Sequence, residues 1–545
     1  MRSASELRSI ALVALFLSSI ILSLTLPART VEASNETTEG TITGTEVWMG
    51  VHTLTGDVSI APGAKLIIQP GATVNFPNGT HLDVRGSLCA GVSSCGSSGD
   101  ADASMRITLR WEEPENSSAT GECYGLSHSN QEIWIDDPSC SEGILMRSTI
   151  DLSQTELSHV TFDGAWGVPH YISIVSEFRY AALVLDGASP TLTELEFTDI
   201  NTSSVLTTNL AQPTFNGGSF VVGNDASRSI VGSALQIYAS GSSVSPFTLT
   251  DFTLDAGTNN GCGNRDGGRS AIWSEQSFIV IDNAQIAAGD FGIGLKTSAG
   301  SVTNSVVNVN CNGIDINGKK TVGSTYFEFD IENNQITTDQ GSGVTVYYGA
   351  YATISNNNIQ GAAGGSGIGV YSSFAAIHNN HIGPINGYNG LWLTGSFDVI
   401  AENNTIIGTA REPVVAGWYS RSVSSASRVL LANNSITYGG AATCSSTLYW
   451  GGDFTCPVVH AFLTGVTMYD NVVIAGGTAD GIRSVGSLLD IQRNHFEVQE
   501  TGAVLRNYDS GYSASQQHGT LAFFSENEWV GNRVTYNVTK SSVTA

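Results

Sequence analysis

A six-residue phrase, apolar-x-Asn-Asn-x-Ile, recurs along the second half of the chain and strongly limits what the chain can fold into. It reads IENNQI (331–336), ISNNNI (354–359), IHNNHI (377–382), AENNTI (401–406) and LANNSI (431–436). The second asparagine falls every 23 residues at Asn334, Asn357 and Asn380, and Asn404 follows 24 residues later. A repeat this short cannot bury its apolar face alone, so successive repeats must stack into a continuous core.

A second phrase, Gly-apolar-x-apolar, lies between copies of the first. It reads GIGL (292–295), GIDI (313–316), GVTV (343–346), GIGV (367–370) and GLWL (390–393). Alternation of apolar and variable residues is typical of a short strand with one buried face. The asparagines at equivalent turns are predicted to stack into a ladder of side-chain amides. Leucine-rich repeats have a similar length, but their Leu-rich consensus is absent.

On these phrases the chain resembles the right-handed parallel β-helix superfamily, the pectate-lyase-like group that includes polygalacturonases, alginate epimerases and many surface proteins. The segment 56–88, in which Pro62-Gly63 and Pro70-Gly71 separate short strands, is similar to the first coils of large exported members. The resemblance covers about residues 56 to 535. It implies an all-β, right-handed parallel β-helix solenoid of roughly 20 coils. The 61 Gly residues, with few Lys and Glu, agree with strands and turns.

The N-terminus resembles an export signal. Arg2 and Arg8 form a short basic start, an apolar run follows from Ile10 to Leu26, and Val31-Glu32-Ala33 offers a cleavage site. An uncleaved anchor is the alternative, because the run is just under membrane-spanning length. The expected organisation is a signal peptide or anchor at 1–33, a lead segment at 34–57, and a solenoid at 58–545 with a disulfide-bearing insertion near 111–143. No second membrane-spanning segment is expected, so the predicted location is secreted or cell-surface.

Charge excludes several partners. The chain has 23 basic and 49 acidic residues, a formal net charge of −26. Such a field repels phosphate backbones and anionic lipids, so no nucleic-acid partner is expected.

Eight cysteines in an exported chain indicate disulfides rather than a metal site, since no C-x-x-C occurs. Proximity suggests the pairs Cys89–Cys95, Cys123–Cys140 and Cys444–Cys456, which leaves Cys262–Cys311. Sequons predict glycosylation at Asn35, Asn78, Asn116, Asn201, Asn403, Asn433 and Asn537.

The catalytic motifs that the resemblance implies are missing. Asp136-Asp137 is the only Asp-Asp pair, and no Gly-His-Gly, Arg-Ile-Lys or Asp-Pro-His tripeptide occurs. A lyase would need a basic residue as proton acceptor, and the chain has five lysines. Hydrolase and epimerase activities are therefore not favoured, although the fold alone does not fix function.

Aligning the Gly-apolar-x-apolar strands predicts two outward-facing columns of side chains. The first column contains Trp273, Gly294, Asp315, Thr345, Gly369 and Trp392, and the second contains Glu275, Lys296, Asn317, Tyr347, Tyr371 and Thr394. A candidate catalytic cluster combines residues of these columns with the preceding turn: Asp266, Arg269, Glu275, Lys296 and Asp315. Acids beside a lone lysine suit α-proton abstraction from a sugar acid. The favoured alternative is that Glu275 and Lys296 form a solvated surface ion pair.

Aromatic side chains give the second candidate site. Trp273, Tyr347, Tyr371 and Trp392 are predicted to bind pyranose rings through exposed faces. Stacking that only stabilises the solenoid is the alternative. The sequence thus favours a non-enzymatic, exported protein for adhesion or binding of polysaccharides or cell-surface glycans. The alternatives are a surface spacer without a ligand, and a lyase or epimerase of acidic glycans around Lys296. No cofactor is expected, except a Ca²⁺ ion that could bridge the acidic chain to an acidic glycan.

Overall fold

The structure is a computed structural model. It describes residues 37–92, 103–112, 142–148, 155–200, 202–221, 233–257, 262, 270–287, 290–318, 328–395, 398–417, 428–439, 456–507, 519–539 and 542–544. Residues Thr38–Ala545 form one compact unit, and the other unit, Met1–Thr37, lies almost entirely outside the described residues, as does the predicted signal peptide. Within the described part of the chain, no helix is long and apolar enough to span a membrane.

The solenoid is built from coils that each contribute a strand to up to three faces. Face A is a sheet whose parallel strands are Gly40–Ile42, Val58–Ile60, His81–Val84, Gly143–Arg147, Glu177–Asp186, Ser203–Thr208, Leu235–Tyr238, Ser270–Glu275, Phe291–Lys296, Ile314–Asn317, Val344–Tyr347, Ile368–Tyr371, Leu391–Thr394, Val414–Gly417, Pro457–Phe462, Asp480–Val485, Thr501–Arg506 and Val534–Thr539. Each strand pairs in parallel with its counterpart in the next coil, so the backbone N–H and C=O groups of one coil hydrogen-bond to those of its neighbours.

Faces B and C belong to a second sheet. Face B contains Thr45–Trp48, Lys65–Ile68, Ser87–Ala90, Glu156–Ser158, Phe247–Thr250, Phe278–Asp282, Ala299–Thr303, Glu328–Glu332, Tyr351–Ser355, Phe374–His378, Asp398–Glu402, Arg428–Ala432, Gly465–Tyr469, Leu488–Gln492, Leu521–Ser525 and Ser542–Thr544. Face C contains Val51–Thr53, Thr73–Phe76, Ile107–Trp111, Val160–Asp163, Thr253–Asp255, Gln285–Ala287, Val306–Val309, Gln335–Thr338, Asn358–Gly361, His381–Ile385, Thr405–Ile406, Ser435–Tyr438, Val472–Ala475, His495–Val498 and Glu528–Val530. Two long strands, Thr191–Thr198 and Thr214–Val221, run through both faces. A short 3₁₀ turn covers Ala103–Met105.

The core lies inside the coils, because alternate residues of each strand point inward. In Lys65–Ile68, for example, Leu66 and Ile68 are buried and their neighbours are half-buried. The irregular first half also carries a row of aromatic rings in the core: Phe76, Trp111, Phe162, Phe197, Phe220 and Phe252. Successive rings are stacked, except that Phe220 meets Phe252 edge to face. The regular second half fills the same interior largely with Ile, Val and Leu.

The Asn-Asn dipeptide has a different role for each asparagine. The first residue takes a left-handed backbone conformation, with φ of 58° at Asn333 and at Asn356, a region that asparagine tolerates better than most residues. The second asparagine is buried and donates its amide to the next coil. The predicted ladder is confirmed, and its N–O distances are 2.8 to 3.0 Å along Asn334, Asn357, Asn380, Asn404, Asn434, Asn471, Asn494 and Asn527.

A β-hairpin covers part of the outer surface of face A. Its first strand, Val168–Ile172, pairs antiparallel with the start of Glu177–Asp186. Val168 and Ile172 pack with outward-facing residues of face A in a second apolar cluster, together with Leu145, Ala181, Val184, Leu206 and Tyr238. Outward-facing residues of these coils are therefore not solvent-exposed.

Two expected boundaries differ from the structure. Gly40–Ile42 pairs in parallel with Val58–Ile60, so coil pairing begins before residue 58. The strand joins the solenoid because Ile42 packs into the core. The sequence did not predict this strand, because Thr and Gly residues around Ile42 leave no clear alternation of apolar residues. Trp111 ends a face C strand and stacks on Phe76, so it is not part of an insertion. Most of the predicted insertion, residues 113–141, lies outside the described residues.

The disulfide that the sequence left by elimination, Cys262–Cys311, is confirmed. None of the described cysteines is free. Cys89 and Cys456 are also disulfide-bonded, but Cys95 and Cys444, their expected partners, lie outside the described residues. Cys123 and Cys140 do as well. Those three pairings stay predictions.

Candidate functional site

Both predicted columns are present on the outer surface of face A. Strand pairing aligns Trp273, Gly294, Asp315, Thr345, Gly369 and Trp392 in the first column, and Glu275, Lys296, Asn317, Tyr347, Tyr371 and Thr394 in the second. Neighbouring members lie one coil apart, about 4.8 Å along the stacking direction. The Gly-apolar-x-apolar phrase thus places side chains of six coils side by side.

Glu275 and Lys296 form an ion pair, with Lys296 Nζ 3.1 Å from Glu275 Oε1. The pair is not a solvated surface pair, because the Glu275 side chain is only 7% exposed and that of Lys296 is 31% exposed. Tyr238, the paired residue one coil earlier, is buried as well. Burial raises the pKa of Tyr238, and a hydrogen bond with Arg179 of the hairpin opposes that rise.

Trp273 adjoins the hairpin. It packs against the cluster formed by Ile172, Leu206 and their neighbours, which explains why its ring is only partly exposed. The ring also lies over the next coil, where a Cβ atom on Gly294 would be 2.6 Å from Trp273 Cε3. Gly294 is therefore needed for Trp273 to lie flat on the sheet.

Two members of the candidate catalytic cluster, Asp266 and Arg269, lie outside the described residues, so their approach to Lys296 is untested. Asp315 is half-buried in the first column. Both of its carboxylate oxygens accept from Asn312 Nδ2 at 3.0 Å. The structure brings together Glu275 and Lys296, and it places Asp315 in the coil after Lys296.

Tyr347 and Tyr371 stack on each other. Their ring centroids are 4.8 Å apart and their planes differ by 11°. The facing ring surfaces are occupied by this contact. The Tyr371 ring also lies over Gly369, where a Cβ atom would be 2.7 Å from Tyr371 Cε2 and 3.0 Å from the Tyr371 hydroxyl oxygen. The stabilising role considered in the sequence analysis therefore accounts for part of each ring, and hydrogen bonding is the contribution that the polar tips can make to a ligand.

Trp392 is not an exposed aromatic platform. It is only 8% exposed. Thr345 in the first column and Thr394 in the second are also buried. The expectation was wrong here because an outward direction from a sheet does not ensure contact with solvent.

A cluster of buried charges on the same face was missed from the sequence. Glu412, His460, Asp480 and Arg483 are all buried and come from three successive coils. Arg483 Nη2 lies 2.9 Å from Asp480 Oδ2, and His460 Nδ1 lies 3.7 Å from Glu412 Oε1. Burial lowers the pKa of Arg483, and the charge of Asp480 opposes that effect.

A signal for this cluster was present. Glu412 and Asp480 lie two residues before the first core-facing residue of their face A strands. In regular coils Asn312, Ser342 and Ser366 occupy that position. There Asn312 Oδ1 accepts from the backbone of Ser342, and Ser342 Oγ accepts from that of Ser366. Glu412 and Asp480 therefore put acidic side chains at a position where the regular coils have Asn or Ser. This departure from the repeat is the sequence signal for the buried cluster.

No metal centre emerges from the described residues, among which no three His, Cys, Asp or Glu side chains are grouped to hold an ion. The Ca²⁺ ion considered for an acidic glycan stays a prediction.

Comparison with known proteins agrees with the architecture. The family model described as "Right handed beta helix region" matches residues 322–517. With the parallel strand pairing, this match confirms the right-handed parallel β-helix fold that the sequence predicted. No curated protein matches the sequence.

Several solved structures are similar at low identity. The A-module of Azotobacter vinelandii mannuronan C-5 epimerase AlgE4 has 10% identity and a TM-score of 0.28, over 90% of this chain and 91% of that one. Bacteriophage CBA120 tailspike protein 3 has 10% identity and a TM-score of 0.27, over 92% and 57%. The Streptococcus pneumoniae surface protein and adhesin PfbA has 10% identity and a TM-score of 0.21, over 92% and 92%. Similarity this low carries no argument about activity.

Proposed function

We propose that the protein is an exported or cell-surface β-helix that binds glycans along the outer surface of face A, without turnover. The observation that carries the proposal is the run of half-buried polar side chains on successive coils, Asp315, Asn317, Tyr347 and Tyr371. Carboxylate, amide and phenol groups hydrogen-bond readily to sugar hydroxyls. Because they recur at the coil spacing, an extended polymer can meet similar groups repeatedly, and several modest contacts add up.

The alternative function, a lyase or epimerase of acidic glycans around Lys296, has weaker support. Such chemistry needs a group that removes the proton next to a carboxylate. The amine of Lys296 is already engaged by the buried Glu275 carboxylate. Abstraction by Lys296 would require that pair to separate, which leaves a buried charge without its partner.

A glycan array tests the proposal. Replacing Asn317, Tyr347 and Tyr371 together by Ala should abolish retention, because it removes the polar groups of three adjoining coils. Trp392 is left intact, since truncating a buried ring would destabilise the fold. Tyr351→Ala, on face B, is the matched control and should bind normally.

Two results would contradict the proposal. The triple variant could retain glycans as well as the unmodified protein while keeping its thermal transition. Alternatively, incubation with polyuronates and calcium could yield unsaturated, ultraviolet-absorbing products or an altered epimer ratio, which would establish the enzymatic alternative.

A further inference from the structure

The two columns contain little positive charge. Between Tyr238 and Thr394 in the second column, and between Gln236 and Trp392 in the first, Lys296 is the only cationic side chain, and all of these residues are described. A site that selects a polyuronate needs cations for the sugar carboxylates. Among these described column residues, Lys296 is the side chain that could supply one.

Lys296 is committed to Glu275. The Nζ–Oε1 distance is 3.1 Å, and the carboxylate is the more buried partner. A ligand carboxylate that drew Lys296 away would leave Glu275 charged in a desolvated position, which is strongly unfavourable. Arg179 of the hairpin is in turn paired with Glu177 at 2.5 Å.

The remaining groups suit an uncharged ligand. Asn317, Tyr347 and Tyr371 offer an amide and two hydroxyls, and Asp315 offers carboxylate oxygens that repel other carboxylates. The net charge of −26 adds a repulsive field at longer range.

From the Glu275–Lys296 pair and its neighbours we infer that the two columns of face A between Gln236 and Thr394 select uncharged glycans and reject polyuronates. This inference rests on the proposed glycan-binding function. Glu275 acts as a positioning residue, because its ion pair with Lys296 keeps the lysine from binding a ligand carboxylate. The selectivity therefore arises from a lysine whose charge is already paired within the protein.

The test compares mannose and mannuronate oligomers of the same linkage and length, which differ only in the carboxyl group. The unmodified protein should retain the mannose oligomer and not the mannuronate oligomer. Glu275→Gln keeps the shape but frees the charge of Lys296, so it should raise the ratio of mannuronate to mannose retention by about tenfold. That gain should shrink as salt is added.

Two further variants test whether the gain in mannuronate retention comes from the charge of Lys296. In the double variant Glu275→Gln/Lys296→Gln the gain should disappear, and Lys296→Gln alone should leave the ratio low. Preferential retention of mannuronate by the unmodified protein, or its loss in Lys296→Gln, would overturn the inference but leave glycan binding intact. If the unmodified protein retained neither oligomer and no glycan on the array, the proposed glycan-binding function itself would be wrong. If either single variant does not fold, the unmodified protein and the double variant, which leaves no charge of this pair buried alone, still decide the question.

Discussion

Asn380 Oδ1 accepts two hydrogen bonds from Asn357, one from its backbone N–H and one from its side-chain amide, both at 3.0 Å. The two residues occupy the same turn of neighbouring coils and are almost fully buried. One oxygen therefore satisfies two donors that have no access to water. The same arrangement recurs at each link of the ladder.

Asn380→Ala should be strongly destabilising. It removes the acceptor of the Asn357 backbone N–H and one of the three acceptors of the Asn357 side-chain amide, which also donates to the carbonyls of Ile331 and Ser355. It also removes the amide that Asn380 donates to Ile354 and Asn404. Because each unsatisfied buried group costs about 1–3 kcal/mol, we expect a loss of about 3 kcal/mol or more in the free energy of unfolding. Asn358→Ala, at an exposed strand position, is the control. Equal denaturation midpoints for the two variants would show that the ladder contributes little.

Glu142 should make stability depend on pH. Its carboxyl is 1% exposed and accepts from the backbone N–H groups of Gly79 and Trp166. Burial raises its pKa from 4.5 to about 7, and these two hydrogen bonds oppose the rise only in part. The folded state thus holds a proton that the unfolded state releases, so the contribution is complete below pH 4.5 and is lost as pH rises through 7.

Glu142→Gln should remove this dependence. Relative to the unmodified protein, whose stability should fall by on the order of 3 kcal/mol across that window, the variant should show a flatter profile. Urea unfolding at a series of pH values measures it. Glu497→Gln, at an exposed position, should retain the original slope, and parallel profiles for Glu142→Gln and the unmodified protein would be the contrary result.

The buried pair Asp480–Arg483 should be costly to break. Arg483→Met leaves the Asp480 carboxylate buried without its partner, and we expect a loss of about 3–5 kcal/mol in unfolding free energy. Asp480→Leu/Arg483→Met should recover much of it, since the lone charge is gone. Arg493 and Asp470 form a similarly close but exposed pair, so Arg493→Met should change stability little. A denaturant-based mutant cycle that finds the two pairs equivalent would contradict this expectation.

The Cys262–Cys311 disulfide should stabilise the coils that carry Glu275, Lys296 and Asp315. It joins positions 49 residues apart, and closing a loop of that length removes about 4 kcal/mol of unfolded-state entropy. Cys262→Ala/Cys311→Ala should therefore unfold at a lower denaturant concentration. A midpoint equal to that of the unmodified protein would mean that stacking alone holds these coils.

The strand positions and both columns could be predicted from the sequence because the regular repeats differ little in length. Once Asn334, Asn357 and Asn380 share a turn, every residue between them has a fixed place in its coil. This also explains why Tyr347 and Tyr371 were expected side by side.

Burial on the outer surface could not be predicted in the same way. Trp273 is partly covered by a hairpin that follows no repeat, and Glu275 is buried beside Tyr238, which precedes the regular coils. The cluster around Glu412 and His460 spans a long interruption of the repeat, so no alignment of phrases brings its members together. The repeat predicts which side chains point outward from the sheet. Whether those side chains are buried depends on irregular segments that pack over them.

The ladder also has a direction. From Asn334 to Asn494 each amide nitrogen points to the oxygen of the following coil, and Asn527 receives the last of these bonds. Amides aligned head to tail polarise one another and add their dipoles. The ladder thus forms an aligned dipole along the solenoid, with its negative end toward Asn334 and its positive end toward Asn527. Reversing the order of the coils would reverse this dipole.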